Sequence, residues 1–345
     1  MKKHINIPIF IPHLGCPNQC VFCNQRSISG VREFDENSVY SIIDTALSTV
    51  GIDTEAEIAF FGGSFTGIDR CLMIRLLDAA YEYVKAGRVK GIRCSTRPDY
   101  IDAEVLGILK RYSVNVIELG LQSSSDEVLT LSKRGHGRAA EERACRMIVD
   151  FGFELVGQMM IGLPGSTAES EEETADFIIA SGANAARIYP TVVFRDTELC
   201  HMTESGVYTP LTLDEAVNRT ANVLIKLRGA GIEVIRVGLC ATENLESDKT
   251  YFAGPNHPAL GELVENEVYY RLIKNEISKI PDTAGKELTV FVAKGETSKA
   301  VGQKRKNKIR LVKEFGLYDV RFLEDGTVYP NTVRVLRKER KDKCT

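Results

Sequence analysis

The chain has 345 residues, 43% of them hydrophobic, and a formal net charge of −3 at pH 7. This length exceeds that of a typical single domain, so we expect one large domain with an appendage. No apolar run approaches the ~18 residues that a membrane-spanning helix needs, and the first residues lack the pattern of a signal peptide. These features argue against a helical membrane protein and a secreted one, and we expect a soluble, cytoplasmic protein.

Charge is unevenly distributed along the chain. Residues 286–345 contain 16 Lys and Arg against 8 Asp and Glu, a net charge of +8, which leaves −11 on the remainder. A basic segment on an acidic body indicates a polyanionic partner for that segment. A solvated, charged helix is the alternative.

Short apolar, β-branched runs alternate with stretches of helical period over the first two thirds of the chain. The helical stretches include 38–50, 71–84 and 212–231, the last with Thr212 as a candidate N-cap. This alternation predicts parallel βαβ units, and six or seven of them suit a barrel. We therefore predict an α/β fold with a partial (β/α)6 TIM-type barrel over residues 1–241. The runs predicted as strands are 5–11, 56–61, 91–97, 115–120, 154–162, 185–193 and 232–238.

The pattern changes after residue 241. Residues 242–258 are polar and rich in Gly and Pro, which predicts a linker. Residues 259–345 then predict a small, basic αβ C-terminal domain. In its basic helix we expect Ile309, Val312 and Phe315 to dock on the adjacent strands. Its predicted elements are a helix at about 259–279, a strand at 288–294, the basic helix at about 297–315, and strands near 319–324 and 332–337.

Three of the nine cysteines form a cluster, Cys16, Cys20 and Cys23, directly after the first predicted strand. The odd count and the scatter of the other six fit poorly with a secreted disulfide framework. Three thiolates this close can converge on one soft metal centre, either an iron–sulfur cluster or zinc. Structural zinc requires a fourth protein ligand, and no second Cys or His pair follows. The spacing therefore favours a [4Fe–4S] cluster with one iron left open.

The cysteine spacing, with Phe22 before the third cysteine, resembles the signature of the radical-SAM superfamily. Residues 61–65 (Phe-Gly-Gly-Ser-Phe) resemble the glycine motif of that superfamily. Further motifs of the chain resemble the catalytic subunit of elongator, a tRNA-uridine-modifying enzyme. That subunit differs from this chain in two respects. Its gap after the first cysteine is longer, and it has an acetyltransferase domain for which 345 residues leave no room, so acetyl transfer is not carried over. The further motifs that resemble this subunit, in the same order, are 95–100, 118–123, 133–136, 162–165 and 187–191.

These motifs follow successive predicted strands, so a parallel barrel brings them to one face. For three sets of residues the sequence leaves two alternatives open. Arg97 either grips the cofactor carboxylate or pairs with Asp99, and the two glutamines below are either cofactor contacts or satisfied core amides. Glu118 either reaches the cofactor or braces the barrel, and His136 is predicted to be a surface histidine. The resemblance implies that Cys16, Cys20 and Cys23 hold the cluster and that S-adenosylmethionine is bound by Gly62, Gly63, Ser64, Arg97, Gln122, Gln158 and Leu163.

The resemblance also implies a reaction. The reduced cluster cleaves S-adenosylmethionine to a 5′-deoxyadenosyl radical, and an electron donor such as flavodoxin or ferredoxin supplies the electron. Our leading hypothesis is that the radical modifies a nucleoside in RNA, such as tRNA, bound through the basic C-terminal domain. The alternatives are a radical-SAM enzyme acting on a small molecule or protein, and a non-enzymatic iron–sulfur or RNA-binding module. The sequence identifies no catalytic residue.

Overall fold

The computed structural model describes residues 3–11, 14–16, 20–24, 34–51, 53–239 and 250–337. These residues divide into two compact units. One consists of the chain up to Ala216 together with Lys226–Pro258. The other consists of Val217–Ile225 together with the chain from Ala259 onwards.

The described strands of the first unit build one large parallel sheet. Seven of them pair in the order β1-β2-β3-β4-β5-β6-β8, every pair parallel, and curl into a half-barrel. Strands β7 and β9 pair antiparallel with each other. The seven apolar runs of the sequence match these seven parallel strands, which confirms the predicted α/β fold with one strand more than six. The strands are β1 (Lys3–Phe10), β2 (Thr54–Phe61), β3 (Gly91–Thr96), β4 (Val114–Gln122), β5 (Glu154–Ile161), β6 (Ala185–Pro190), β7 (Val193–Phe194), β8 (Glu233–Val237) and β9 (Tyr251–Ala253).

Helices connect the parallel strands, and polar side chains cap several of them. Thr212 is the N-cap of α8, as predicted, and forms a reciprocal capping box with Glu215. The helices of this part of the chain are α1 (Val39–Ser48), α2 (Arg70–Lys85), α3 (Ala103–Arg111), α4 (Asp126–Leu131), α5 (Arg138–Asp150), α6 (Ala168–Ala180), α7 (Glu198–Glu204) and α8 (Leu213–Gly229).

The two faces of the parallel sheet differ in chemistry, because successive side chains along a strand point to opposite faces. One face is apolar and packs under the helices; a Cβ atom at Gly157 of β5 would lie only 3.0 Å from Ile178 of α6. The opposite face is the inner wall of the half-barrel. It carries charged side chains that are at most 9% exposed, at Glu57, Arg93, Glu118 and Arg187.

The second unit is a small αβ structure. Its three strands pair in the order β11-β10-β12, with β10 parallel to β11 and antiparallel to β12. Its core includes Tyr269, Val290, Leu311 and Val320. The elements are α9 (Leu260–Ser278), β10 (Glu287–Val292), α10 (Thr297–Val301), α11 (Lys306–Phe315), β11 (Asp319–Glu324) and β12 (Val333–Arg337).

The single basic helix expected at 297–315 is wrong. The chain forms α10 and α11, separated by a turn in which Lys304 and Arg305 have left-handed backbone angles, φ 51° and 61°. Val312 and Phe315 pack against the core as expected, but Ile309 is 62% exposed. The buried stripe of α11 passes through Leu311 instead.

Part of the segment predicted as a linker, 242–258, has regular structure. Residues 251–253 form β9, whereas residues 242–249 lie outside the described residues. None of the described helices is both long and apolar enough to cross a membrane.

Candidate active site

The cysteine loop follows β1 and is fastened to two other segments. Cys16, Cys20 and Cys23 form no disulfide among the described residues, and Cys20 is buried. Between the last two, the Val21 amide donates to the Ser132 carbonyl (3.2 Å), and the Val21 carbonyl accepts from the Leu199 amide (2.8 Å). The loop is therefore held at the carboxyl edge of the sheet, where the predicted motifs meet.

The stem of the cysteine loop packs directly on the glycine loop after β2. A Cβ atom at Gly63 would lie 2.5 Å from the Leu14 carbonyl oxygen and 2.8 Å from that of Ile11. A Cβ atom at Gly15 would lie 2.3 Å from the carbonyl oxygen of Ser64. Gly62 has φ 100°, a backbone conformation that glycine adopts without strain. Because Gly15 and Gly63 have no side chains, the backbones of the two loops pack directly on each other. Cys16 therefore lies beside the glycine motif.

Ser64 is fully buried, and its hydroxyl is engaged by the protein. Its Oγ lies 3.0 Å from Thr96 Oγ1 and accepts from the Arg97 amide (3.3 Å). The side chain therefore ties the glycine loop to the end of β3. Its predicted contact with S-adenosylmethionine stays a prediction.

Arg97 pairs with Asp99, which is one of the two alternatives predicted for this residue. Its Nε and Nη2 donate to the two carboxylate oxygens of Asp99, both at 2.9 Å. Its Nη2 also donates to the Arg134 carbonyl, and its Nη1 lies 3.8 Å from Cys20 Sγ. The guanidinium is thus positioned beside a cysteine of the cluster motif.

Arg134 is a site residue that the sequence reasoning missed. Its Nη1 lies 3.3 Å from Cys20 Sγ, closer than Arg97, and its Nη2 donates to the Gly120 carbonyl (2.5 Å). The sequence signal for Arg134 is its position within the 133–136 motif, next to His136. Burial raises the pKa of the Cys16 thiol, and the positive charge of Arg97 opposes that shift.

The remaining predicted cofactor residues line the carboxyl ends of β4 and β5. Gln122 is 4% exposed, has φ 72°, and its Oε1 lacks a hydrogen-bond partner among the described residues. Gln158 is half-buried and pairs in register with Gly120 on one side. Leu163 is buried in the turn after β5, where its carbonyl accepts from the Ser166 amide (2.9 Å). A strained, buried amide with an unused acceptor points to a ligand at Gln122.

The prediction that His136 is a surface residue is wrong. Its side chain is 2% exposed and lies 3.7 Å from that of Glu141, which is 0% exposed. Glu141 belongs to helix α5, which packs on the Pro98–Tyr100 turn. Burial lowers the pKa of His136 to about 4 and raises the pKa of Glu141 to about 9. Since 3.7 Å is too long for a hydrogen bond and burial disfavours both charges, we expect both groups to be neutral at pH 7.

Glu118 braces the inner wall of the half-barrel. It accepts from Arg187 Nε (2.8 Å) and Nη2 (3.0 Å), and from Arg93 Nη1 (3.1 Å). Arg93 in turn donates from Nε to Glu57 (2.9 Å). These four residues form a buried chain of alternating charge across four strands, which we call the ionic ladder.

The donor set of this edge fits the cofactors of an iron–sulfur enzyme. The three cysteine thiols are soft ligands for a cluster, and Gln122 offers a buried acceptor. Within the described part of the chain, no three His, Cys, Asp or Glu side chains are arranged to hold a single metal ion. A parallel half-barrel with a three-cysteine loop at its carboxyl edge defines the class as an iron–sulfur enzyme.

Comparison with known proteins identifies the family. The model of the radical SAM superfamily matches residues 10–178, and that of the radical SAM C-terminal domain matches residues 183–270. An uncharacterized protein of Methanocaldococcus jannaschii is 32% identical, over 62% of this chain and 68% of the relative. The chain belongs to the radical SAM superfamily and is a radical SAM enzyme, of a family that uses a [4Fe–4S] cluster and S-adenosylmethionine.

Two further relatives are longer than this chain, and the name of one of them comes from tRNA modification. The tRNA uridine(34) acetyltransferase of Methanocaldococcus infernus is 29% identical over 50% of this chain, and human Elongator complex protein 3 is 31% identical over 49%. The chain spans only 36% and 35% of the length of these two relatives. The solved structure of M. infernus Elp3 with an N-terminal deletion has TM-score 0.62 at 20% identity, covering 80% of this chain and 64% of that one. This structural likeness shows a shared fold.

We expect Gly63→Ala to lose most of the iron that the wild-type protein binds. The added Cβ meets two carbonyl oxygens that cannot move without displacing the cysteine loop. Iron and sulfide content after anaerobic reconstitution measures the effect. The control is Gly107→Ala in α3, where a Cβ has nothing within 4 Å; it should keep its iron and gain ~0.5–1 kcal/mol of stability. Wild-type iron in Gly63→Ala would contradict the close packing of the two loops.

Proposed function

We propose that this radical SAM enzyme modifies a nucleoside in RNA, with tRNA as the preferred substrate. The observation that carries the proposal is a group of cations in the second unit that project into solvent. The name of one relative, a tRNA uridine(34) acetyltransferase, supports it. A low-potential electron donor such as flavodoxin or ferredoxin would supply the electron.

In this proposal, the residues at the carboxyl edge of the half-barrel each have a task. Cys16, Cys20 and Cys23 hold the cluster, and Gly62 and Gly63 let the backbone approach the cofactor closely. When bound there, the cluster and S-adenosylmethionine would supply the radical chemistry for hydrogen abstraction from an unreactive carbon.

The protein orients the cofactor and shields it. Gln122 on β4, Gln158 on β5 and the buried Leu163 after β5 would contact the cofactor. Ser64 keeps the glycine loop in place through Thr96. The buried surroundings would exclude water and limit side reactions of the radical.

The structure separates the cations of the basic segment into two groups. Some are neutralised locally: Lys308 pairs with Asp319 (2.8 Å), and Lys274 with Glu314 (2.7 Å). Among the described residues, the exposed side chains of Lys304, Arg305 and Lys313 make no ion pair. These three, with the exposed Ile309 between them, form what we call the cation face. Cations without local acidic partners are free to neutralise phosphates.

We expect the triple variant Lys304→Asn, Arg305→Asn, Lys313→Gln to bind a tRNA transcript at least tenfold more weakly at low salt. Asn suits the left-handed backbone at the first two positions. Loss of three phosphate contacts should also lower the slope of log K against log salt by about 2–3. Filter binding over a salt series measures both quantities.

The control triple variant is Lys308→Gln, Lys274→Gln, Arg321→Gln. It removes the same charge from positions that already have acidic partners, Asp319, Glu314 and Glu287. Equal weakening by both triples would mean that the cation face has no special role. Wild-type protein that forms 5′-deoxyadenosine but binds no RNA would instead favour a small-molecule or protein substrate.

A further inference from the structure

Two guanidinium groups converge on the sulfur of Cys20. Arg134 Nη1 lies 3.3 Å and Arg97 Nη1 lies 3.8 Å from Cys20 Sγ. Both arginines are almost excluded from solvent, at 5% and 4% exposure, and Cys20 is 8% exposed. Charges buried this deeply are screened far less than surface charges.

Both guanidinium groups are locked in place by other contacts. Arg134 donates from Nη2 to the Gly120 carbonyl at 2.5 Å, and Arg97 grips both carboxylate oxygens of Asp99 at 2.9 Å. Arg97 also donates to the Arg134 carbonyl, which couples the two residues. The approach to Cys20 is therefore built into the fold.

We propose that Arg134 and Arg97 are positioning residues that hold Cys20 for the cluster and raise the cluster's reduction potential. Hydrogen bonds to the sulfurs, net charge and solvent exposure set the potential of such clusters. A cation beside a ligand sulfur stabilises the reduced cluster, because that state carries one more negative charge. Asp99 offsets the charge of Arg97 and so limits the effect. The proposal rests on the assignment of Cys20 as a cluster ligand.

The test is a redox titration of the full-length, anaerobically reconstituted protein, followed by electron paramagnetic resonance. At a fixed potential, Arg134→Met should lower the ratio of reduced to oxidised cluster about tenfold, a midpoint ~59 mV more negative. Arg134→Lys keeps the charge and should restore most of that ratio. The control Lys133→Met removes a neighbouring cation that is 58% exposed and paired with Glu198, and should leave the ratio unchanged.

A second variant should shift the ratio of reduced to oxidised cluster in the opposite direction. Asp99→Asn removes the charge that offsets Arg97, so it should raise the ratio of reduced to oxidised cluster. A purely structural role would move both variants in the same direction. The proposal is overturned if Arg134→Met keeps the wild-type midpoint and iron content, or if both variants shift alike.

Loss of iron from Arg134→Met but not from Arg134→Lys would support the positioning of Cys20, and Asp99→Asn would then decide the effect on the potential. A wild-type protein that binds no cluster would refute the ligand assignment itself, which is a different result.

Discussion

Glu118→Ala should destabilise the protein by about 3–5 kcal/mol, because it leaves a buried charge without its partner. Glu118 accepts three hydrogen bonds from Arg187 and Arg93, and its side chain is 3% exposed. Arg93 keeps Glu57, but Arg187 loses its carboxylate altogether. The free energy of unfolding from urea denaturation measures the loss.

Two comparisons separate charge from packing in the ionic ladder. Glu142→Ala removes an ion pair with Arg138 in which the two side chains are 48% and 46% exposed. It should lower the free energy of unfolding by less than ~0.5 kcal/mol. The double variant Glu118→Leu, Arg187→Met removes both charges and should be more stable than Glu118→Ala. If the double variant were the less stable of the two, packing rather than charge would govern the ladder.

The parallel sheet was predictable because its strands are marked by local pattern. Seven apolar runs of the sequence correspond to the seven parallel strands. The local sequence pattern does not predict which polar residues of the inner wall pair with each other. Glu118 is 69 residues from Arg187 and 25 from Arg93, and nothing local distinguishes a buried ladder from separate cofactor contacts.

The cysteine loop was predictable from spacing, but its arginine partners were not. Arg134 comes close to Cys20 across 114 residues, through the packing of two loops. His136 lies between glycines, a context that resembles a surface turn, but its side chain is buried beside Glu141. Longer-range packing decided both outcomes.

The error at Ile309 has a different physical reason. Helical period allowed more than one buried stripe on α11. The structure buries Asn307, whose Nδ2 donates to the carbonyls of Asn266 (2.6 Å) and Ala300 (3.1 Å). These hydrogen bonds, one of them to a carbonyl in the last turn of α10, fix the side of α11 that faces the core. An asparagine that is polar in sequence therefore occupies a core position, and Ile309 turns outward.

The second large effect should appear in the pH dependence of Glu141→Gln. Burial raises the pKa of Glu141 from 4.5 to about 9, so the folded protein keeps a proton that the unfolded chain releases. A raised acid pKa makes stability fall as pH rises above the unfolded value. Glutamine does not titrate, so the variant should escape this loss and exceed the wild-type stability by about 3 kcal/mol at pH 7.

The dependence on pH distinguishes this account from a charged His136–Glu141 pair. Between pH 5 and 8 the advantage of Glu141→Gln should grow by about 1.4 kcal/mol per pH unit, because one proton is linked to unfolding. On the acid side both proteins should lose stability below pH 6.5, because the pKa of His136 is lowered to about 4 and unfolding takes up its proton. Urea denaturation at several pH values provides the comparison. A variant that is less stable than wild type at every pH would mean that the pair is ionised, with the two charges holding each other in the buried site.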